Sequence, residues 1–201
     1  MLNYLFIVTV NFFIGSIPNG LIIAKWLRGV DIRQFGSKNI GATNVYRVLG
    51  PWPALWVLLT DMAKGIIGVL IGQAVVGSAW AKLAGGIAAM AGHNWSIFLG
   101  FKGGRGVATG LGMFLMLTPK ATTAAFVVWT IIVYLTRYVS LGSIIAAGCV
   151  PVFIWLFGEG TEYLIVAIMA ALFVIVRHRP NIERLLKGEE LKIKAGSAAT
   201  P

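Results

Sequence analysis

WPALWVLLTDMAKGIIGVLIGQAVVG, residues 52–77, decides the fold. Only Asp61 and Lys64 carry charge in this stretch, and a transmembrane helix needs about 20 mostly apolar residues. Three residues apart on a helix, the two charges share a face and neutralise each other, which removes much of the cost of placing them in lipid. They read as a structural pair. Residues 2–26 have similar length and hydropathy, with no basic start and no clear cleavage site, which marks an anchor rather than a signal peptide. Apolar segments recur at 79–92, 107–118, 121–136, 139–157 and 161–177. The segments at 79–92 and 107–118 are short, so seven spans compete with five full spans plus a re-entrant pair.

Composition agrees with a membrane protein. The 201 residues are 58% hydrophobic and 12% charged, whereas soluble domains are about 25% charged. The expected fold is all-α, a compact bundle of seven transmembrane helices of which two are short. Placing the N-terminus outside puts every lysine and arginine except Lys64, Lys82 and Lys120 on the cytoplasmic side, in the sense of the positive-inside rule. The C-terminus then faces the cytoplasm. The net charge of +10 belongs to that face and gives no argument for nucleic acid. Cys149 is the only cysteine, so no intrachain disulfide is possible, and it reads as a small hydrophobe. Residues 1–194 read as one membrane-embedded domain, and 195–201 as a flexible tail or a cloning remnant.

Two glycine-rich basic loops, GSKNIGATN at 36–44 and FKGGRG at 101–106, fall on the cytoplasmic face with the tail RHRPN at 177–181. Such loops offer backbone N–H groups and cations to phosphate oxygens. In the first, Asn44 reads as the N-cap of a short helix over 45–49, ended by Gly50-Pro51, with Arg47 in its first turn. Ser37, Asn39, Thr43 and Asn44 supply polar groups, and with Arg47 they suit a phosphate clamp. In the second, Lys102, Gly103, Gly104, Arg105 and Gly106 lead into an apolar helix whose N-terminal dipole favours an anion. The bland alternatives are a solvated turn for the first loop and a basic membrane-surface turn for the second. The Walker A pattern is not met, so nucleotide binding gains no support. His93 and His178 lack metal-ligand spacing, and neither a metal nor a cofactor is expected. His178 and Glu183 form an H-x4-E string interrupted by Pro180, which reads as chance. Ser140 and Ser143 share one helical face.

With these residues in view, the chain resembles the bacterial membrane glycerol-3-phosphate acyltransferases that use acyl phosphate, the PlsY family. The likeness runs from Gly15-Ser16-Ile17-Pro18-Asn19-Gly20 through Asp31-Ile32-Arg33, residues 36–44, Arg47 and Gly50. It continues through Asp61-Met62-Ala63-Lys64-Gly65, Gly92-His93 and 101–106, and ends in the tail 177–189. Arg105 stands where many relatives have lysine, and Lys38 where a small residue is common. Arg105 keeps the charge with a broader fork.

The resemblance implies acyl transfer from acyl phosphate to the 1-hydroxyl of glycerol 3-phosphate, giving 1-acylglycerol 3-phosphate and inorganic phosphate, the first acylation of phospholipid synthesis. It places the protein in the bacterial plasma membrane, multi-pass and monomeric, with its active site facing the cytoplasm. Residues 103–106 would hold one phosphoryl group, with Lys102 and Arg105 supplying charge. Arg47, His178 and Asn181 would grip the other, with Ser143 and His93 contributing to binding. His178, His93 or a substrate phosphate would accept the hydroxyl proton. No Ser-His-Asp or Cys-His arrangement supports an acyl-enzyme. Two other classes compete: a transporter of phosphorylated small molecules, and a structural protein whose basic face binds anionic lipid.

Overall fold

The structure is a computed structural model describing residues 1–193; the tail expected at 195–201 lies outside them. All seven apolar segments are helical. Among the described residues, four helical stretches are long and apolar enough to cross a membrane, or five when one bent pair is counted as a span. The described residues group into two compact units, with the division falling after Met113.

In the first unit the segment at 2–26 is two helices, α1 (Leu2–Ser16) and α2 (Asn19–Arg28). Pro18 causes the break, since it has no N–H to continue the ladder. A break at membrane depth strands carbonyls that need partners. Ser96 Oγ donates to the Ser16 carbonyl, and Lys64 Nζ to that of Ile17. The short helix of the first loop, α3 (Ala42–Leu49), ends at Gly50, whose φ of 89° suits glycine alone. α4 (Pro51–Val75) follows, opened by a proline where no N–H is required. α5 (Ala79–Asn94) packs on both α1 and α4.

Small residues permit that packing. A Cβ on Gly68 or on Gly85 would run into the backbone of the other, so the two helices touch main chain to main chain. At 16 residues α5 is shorter than a full span, and α6 (Val107–Leu117), at 11 residues, is shorter still. Beneath the first loop lies an apolar cluster in which Ile32, Val45 and Val57 are fully buried. Tyr4 and Ser78 are hydrogen-bonded at 3.1 Å, which brings the start of α1 and the α4–α5 turn to one end of the unit.

The second unit contains α7 (Pro119–Thr136), α8 (Val139–Phe157), α9 (Thr161–Arg177) and α10 (Arg179–Leu186). Glu159, in the α8–α9 turn, accepts hydrogen bonds from the amides of Lys120 and Ala121 at 3.1 Å and so caps α7. α9 and α10 meet at 57°. Pro180 sits in the first turn of α10, so it does not interrupt that helix as its place in the H-x4-E string suggested. Glu183 bonds Arg179 on the surface instead of His178, at 3.0 Å. Past Gly188 (φ 71°) the chain folds back. The Ile193 amide donates to the Arg137 carbonyl at 2.8 Å, and Lys192 Nζ lies 5.2 Å from the Tyr138 ring centre.

Candidate active site

The first loop is held by Asn44, not capped by it. α3 begins three residues earlier than the sequence suggested, with Gly41 as its N-cap, and Arg47 falls in its last turn rather than its first. Asn44 is 1% exposed. Its Nδ2 donates to the carbonyls of Ile32, Phe35 and Asn39 at 3.2, 3.0 and 2.9 Å, and its Oδ1 accepts from the Ser37 amide at 2.8 Å. One carboxamide thus pins four points of the loop. Asn39 Oδ1 accepts from the Gly41 amide at 2.9 Å. Ser37 contributes its amide to this scaffold, while Thr43 and Arg47 stand half-buried on α3. Lys38, exposed, adopts a left-handed φ of 58°. Before the loop, the Asp31 carboxylate accepts from Arg33 Nε and Nη2 at 2.9 and 2.7 Å. The guanidinium hydrogen bond lowers its pKa to about 2.

The second loop lies on the end of α5. The Gly104 amide donates to the His93 carbonyl at 3.0 Å and the Gly103 amide to that of Asn94 at 3.2 Å. Those N–H groups therefore satisfy helix-end carbonyls. These two amides are thus engaged within the protein. Lys102, exposed, and Arg105, half-buried, place two positive charges beside the start of α6. Gly106 turns the chain at φ 77°.

Below this loop lies a buried polar cluster. Lys64 Nζ and Asp61 Oδ1 are 2.8 Å apart, so the ion pair read from their spacing is present. Asn19 Nδ2 also donates to Asp61 Oδ1, at 3.1 Å. His93 Nδ1 stands 3.6 Å from the same oxygen, an electrostatic contact longer than a hydrogen bond.

In the second unit His178 is 2% exposed at the α9–α10 junction. Its Nδ1 is 2.7 Å from the Val174 carbonyl. A carbonyl only accepts, so Nδ1 carries a proton, and in the neutral ring Nε2 is the basic nitrogen. Asn181 Nδ2 donates to Glu190 Oε1 at 2.7 Å; Ser140 Oγ donates to the same oxygen at 2.9 Å, and Arg184 Nε to Oε2 at 2.8 Å. Burial opposes charge on Glu190, but these three donors outweigh it and lower its pKa. Ser143 turns elsewhere: its Oγ donates to the Val139 carbonyl at 2.9 Å and accepts from Trp129 Nε1 at 3.3 Å.

The structure thus brings Ser37, Asn39 and Asn44 together in one loop, gathers His93, Gly103 and Gly104 in another, and ties Asn181 to Ser140 through Glu190. Sequence reasoning missed Glu190, Asn19 and Ser96. For Glu190 the available signal was Gly188 followed by two glutamates, a turn that returns an acid toward a basic helix.

Several apolar helices closed by polar and basic clusters define a multi-pass integral membrane protein. Residues 5–188 match the family model described as glycerol-3-phosphate acyltransferase. A glycerol-3-phosphate acyltransferase of Desulforudis audaxviator is 48% identical over 94% of this chain and 95% of its own. Glycerol-3-phosphate acyltransferase 2 of Moorella thermoacetica is 47% identical over 94% and 97%. Among solved structures, the glycerol 3-phosphate form of PlsY, an integral membrane glycerol 3-phosphate acyltransferase, aligns with a TM-score of 0.89 and 42% identity, covering 95% of this chain and 96% of that one. The lysophosphatidic acid form aligns with a TM-score of 0.87 and 41% identity, covering 95% of each chain. The chain belongs to the glycerol-3-phosphate acyltransferase family, of the PlsY kind.

Proposed function

We propose that this protein transfers a fatty acyl group from acyl phosphate to the 1-hydroxyl of glycerol 3-phosphate, releasing inorganic phosphate and 1-acylglycerol 3-phosphate. The observation that carries this reading is the near full-length likeness to PlsY in forms named for glycerol 3-phosphate and lysophosphatidic acid. Residues 1–194 act as one catalytic domain in this reading. It sits in the bacterial plasma membrane as seven spans, N-terminus outside, with both loops and the tail on the cytoplasmic side. The protein acts as a monomer.

Acyl phosphate is a mixed anhydride, already activated, so the protein need only position the partners and stabilise charge. The substrate hydroxyl oxygen attacks the acyl carbon, the carbon–oxygen bond to phosphate breaks, and phosphate leaves with the bonding pair. Lys102 and Arg105 bind one phosphoryl group. Arg47, with Ser37 and Thr43, faces the other; Asn39 and Asn44 shape that loop. His178 Nε2 accepts the hydroxyl proton, a role supported by the fixed proton on Nδ1. Asn181 is oriented by Glu190, and Ser143 lies one helical turn from Ser140, which shares that glutamate.

The test is phosphate release by purified protein given acyl phosphate and glycerol 3-phosphate. Release that requires both substrates supports the reading. Acylation from a thioester donor alone would remove acyl phosphate from it, and uptake into sealed vesicles without phosphate release would point to transport.

A further inference from the structure

The second loop sits so close to α5 that what lies beneath it fixes its position. A Cβ on Gly104 would collide with the His93 imidazole, and one on Gly103 with the His93 carbonyl oxygen. That imidazole is 4% exposed. Its Nδ1 side faces Asp61, itself fixed by Lys64 and Asn19; its Nε2 side lies under Gly104. The ring therefore fills the gap between a charge cluster on α4 and the backbone of the loop. A side chain enclosed in this way transmits position.

We propose that His93 is a positioning residue for the second loop: its imidazole braces Gly104 against Asp61 and so holds Lys102 and Arg105 in place, without itself contacting substrate. The inference rests on reading that loop as a phosphate grip, and it moves His93 out of both the binding set and the candidates for proton acceptor.

The experiment combines kinetics with limited trypsin digestion at Lys102 and Arg105, using purified full-length protein in detergent. His93→Ala should raise the KM of a phosphorylated substrate about tenfold while kcat changes by less than about threefold, the pattern of lost binding geometry. Trypsin should cut the loop faster in the same variant. Gly104→Ala should do both as well. Combining the two should cost no more than Gly104→Ala alone, because the new methyl enters space the imidazole vacated; contacting residues give such non-additivity. His93→Gln, whose longer amide reaches the place of Nε2 beneath Gly104, should recover much of the protection and of the KM, and it serves if the alanine variant does not fold. Additive losses would overturn the proposal, and so would a collapse of kcat with the loop still protected. A wild-type protein that transfers no acyl group from any donor would sink the functional reading, while the trypsin comparison still tests the brace.

Discussion

Asn44 and Arg47 lie on the same short helix and do different work. The first is spent on the loop, since its three donated bonds and one accepted bond all end on main chain. Hydrogen bonds contribute about 1 kcal/mol net each, and buried orphans cost more. Asn44→Ala should therefore lower stability by about 2–4 kcal/mol, measured by thermal unfolding in detergent, with activity lost in proportion to the folded fraction. Arg47→Ala and Arg105→Ala should leave unfolding temperatures near the wild-type value and reduce turnover at least about a hundredfold, the cost of losing one positioned charge. Near-normal phosphate release by either variant would contradict its assignment. Glu190 adds a pH dependence of known sign. Its folded pKa is depressed, so its contribution is whole above the ordinary glutamate value of about 4.3 and is lost as pH falls through the lower folded one. Acid should loosen the tail over that window, read as a fall in amide-exchange protection across residues 188–193. Glu190→Gln should weaken the tail at neutral pH and flatten the acid response.

The broken first span depends on partners supplied by other elements. Lys64 bonds both the Ile17 carbonyl at the Pro18 break and the carboxylate of Asp61. Lys64→Met removes the cation and leaves a buried carboxylate with only Asn19 and His93 near it, a change expected to cost about 3–5 kcal/mol. The double variant Asp61→Asn/Lys64→Met should recover at least half of that in the same unfolding assay, because no unpaired charge is left. A double variant as unstable as the single would mean that the Ile17 carbonyl, not the ion pair, is what matters. The pairing of Asp61 with Lys64 was legible in the sequence because both partners lie within one helical turn. The roles of Asn19, Ser96 and Glu190 were not, for they are set by contacts 42, 80 and 50 residues apart. The shift of Asn44 from cap to strut has the same origin. Local propensity favoured a cap, and the buried carbonyls of Ile32 and Phe35 supplied stronger reasons to turn inward.

For the molecule as a whole, hydropathy located all seven helical segments. It also marked the segments at 79–92 and 107–118 as short, and the helices there run to only 16 and 11 residues; hydropathy alone does not separate a short span from a re-entrant one, because small apolar residues give the same signal in both. The charge distribution carries the orientation. Single cysteines placed at Arg33, Lys102 or Lys187 in a Cys149→Ser background should react with an impermeant thiol reagent only from the cytoplasmic side. Cysteines at Lys82 or Glu162 should react only from outside, and the reverse pattern would invert the proposed topology. The interrupted first helix also has a meaning in time. Its carbonyls at Ile17 and Ser16 receive side-chain partners from Lys64 and Ser96, made 47 and 80 residues later. At about 5–20 residues per second those partners are made about 2–16 s after the carbonyls they bond, so the end of this protein's first helix is completed by the order of its own translation.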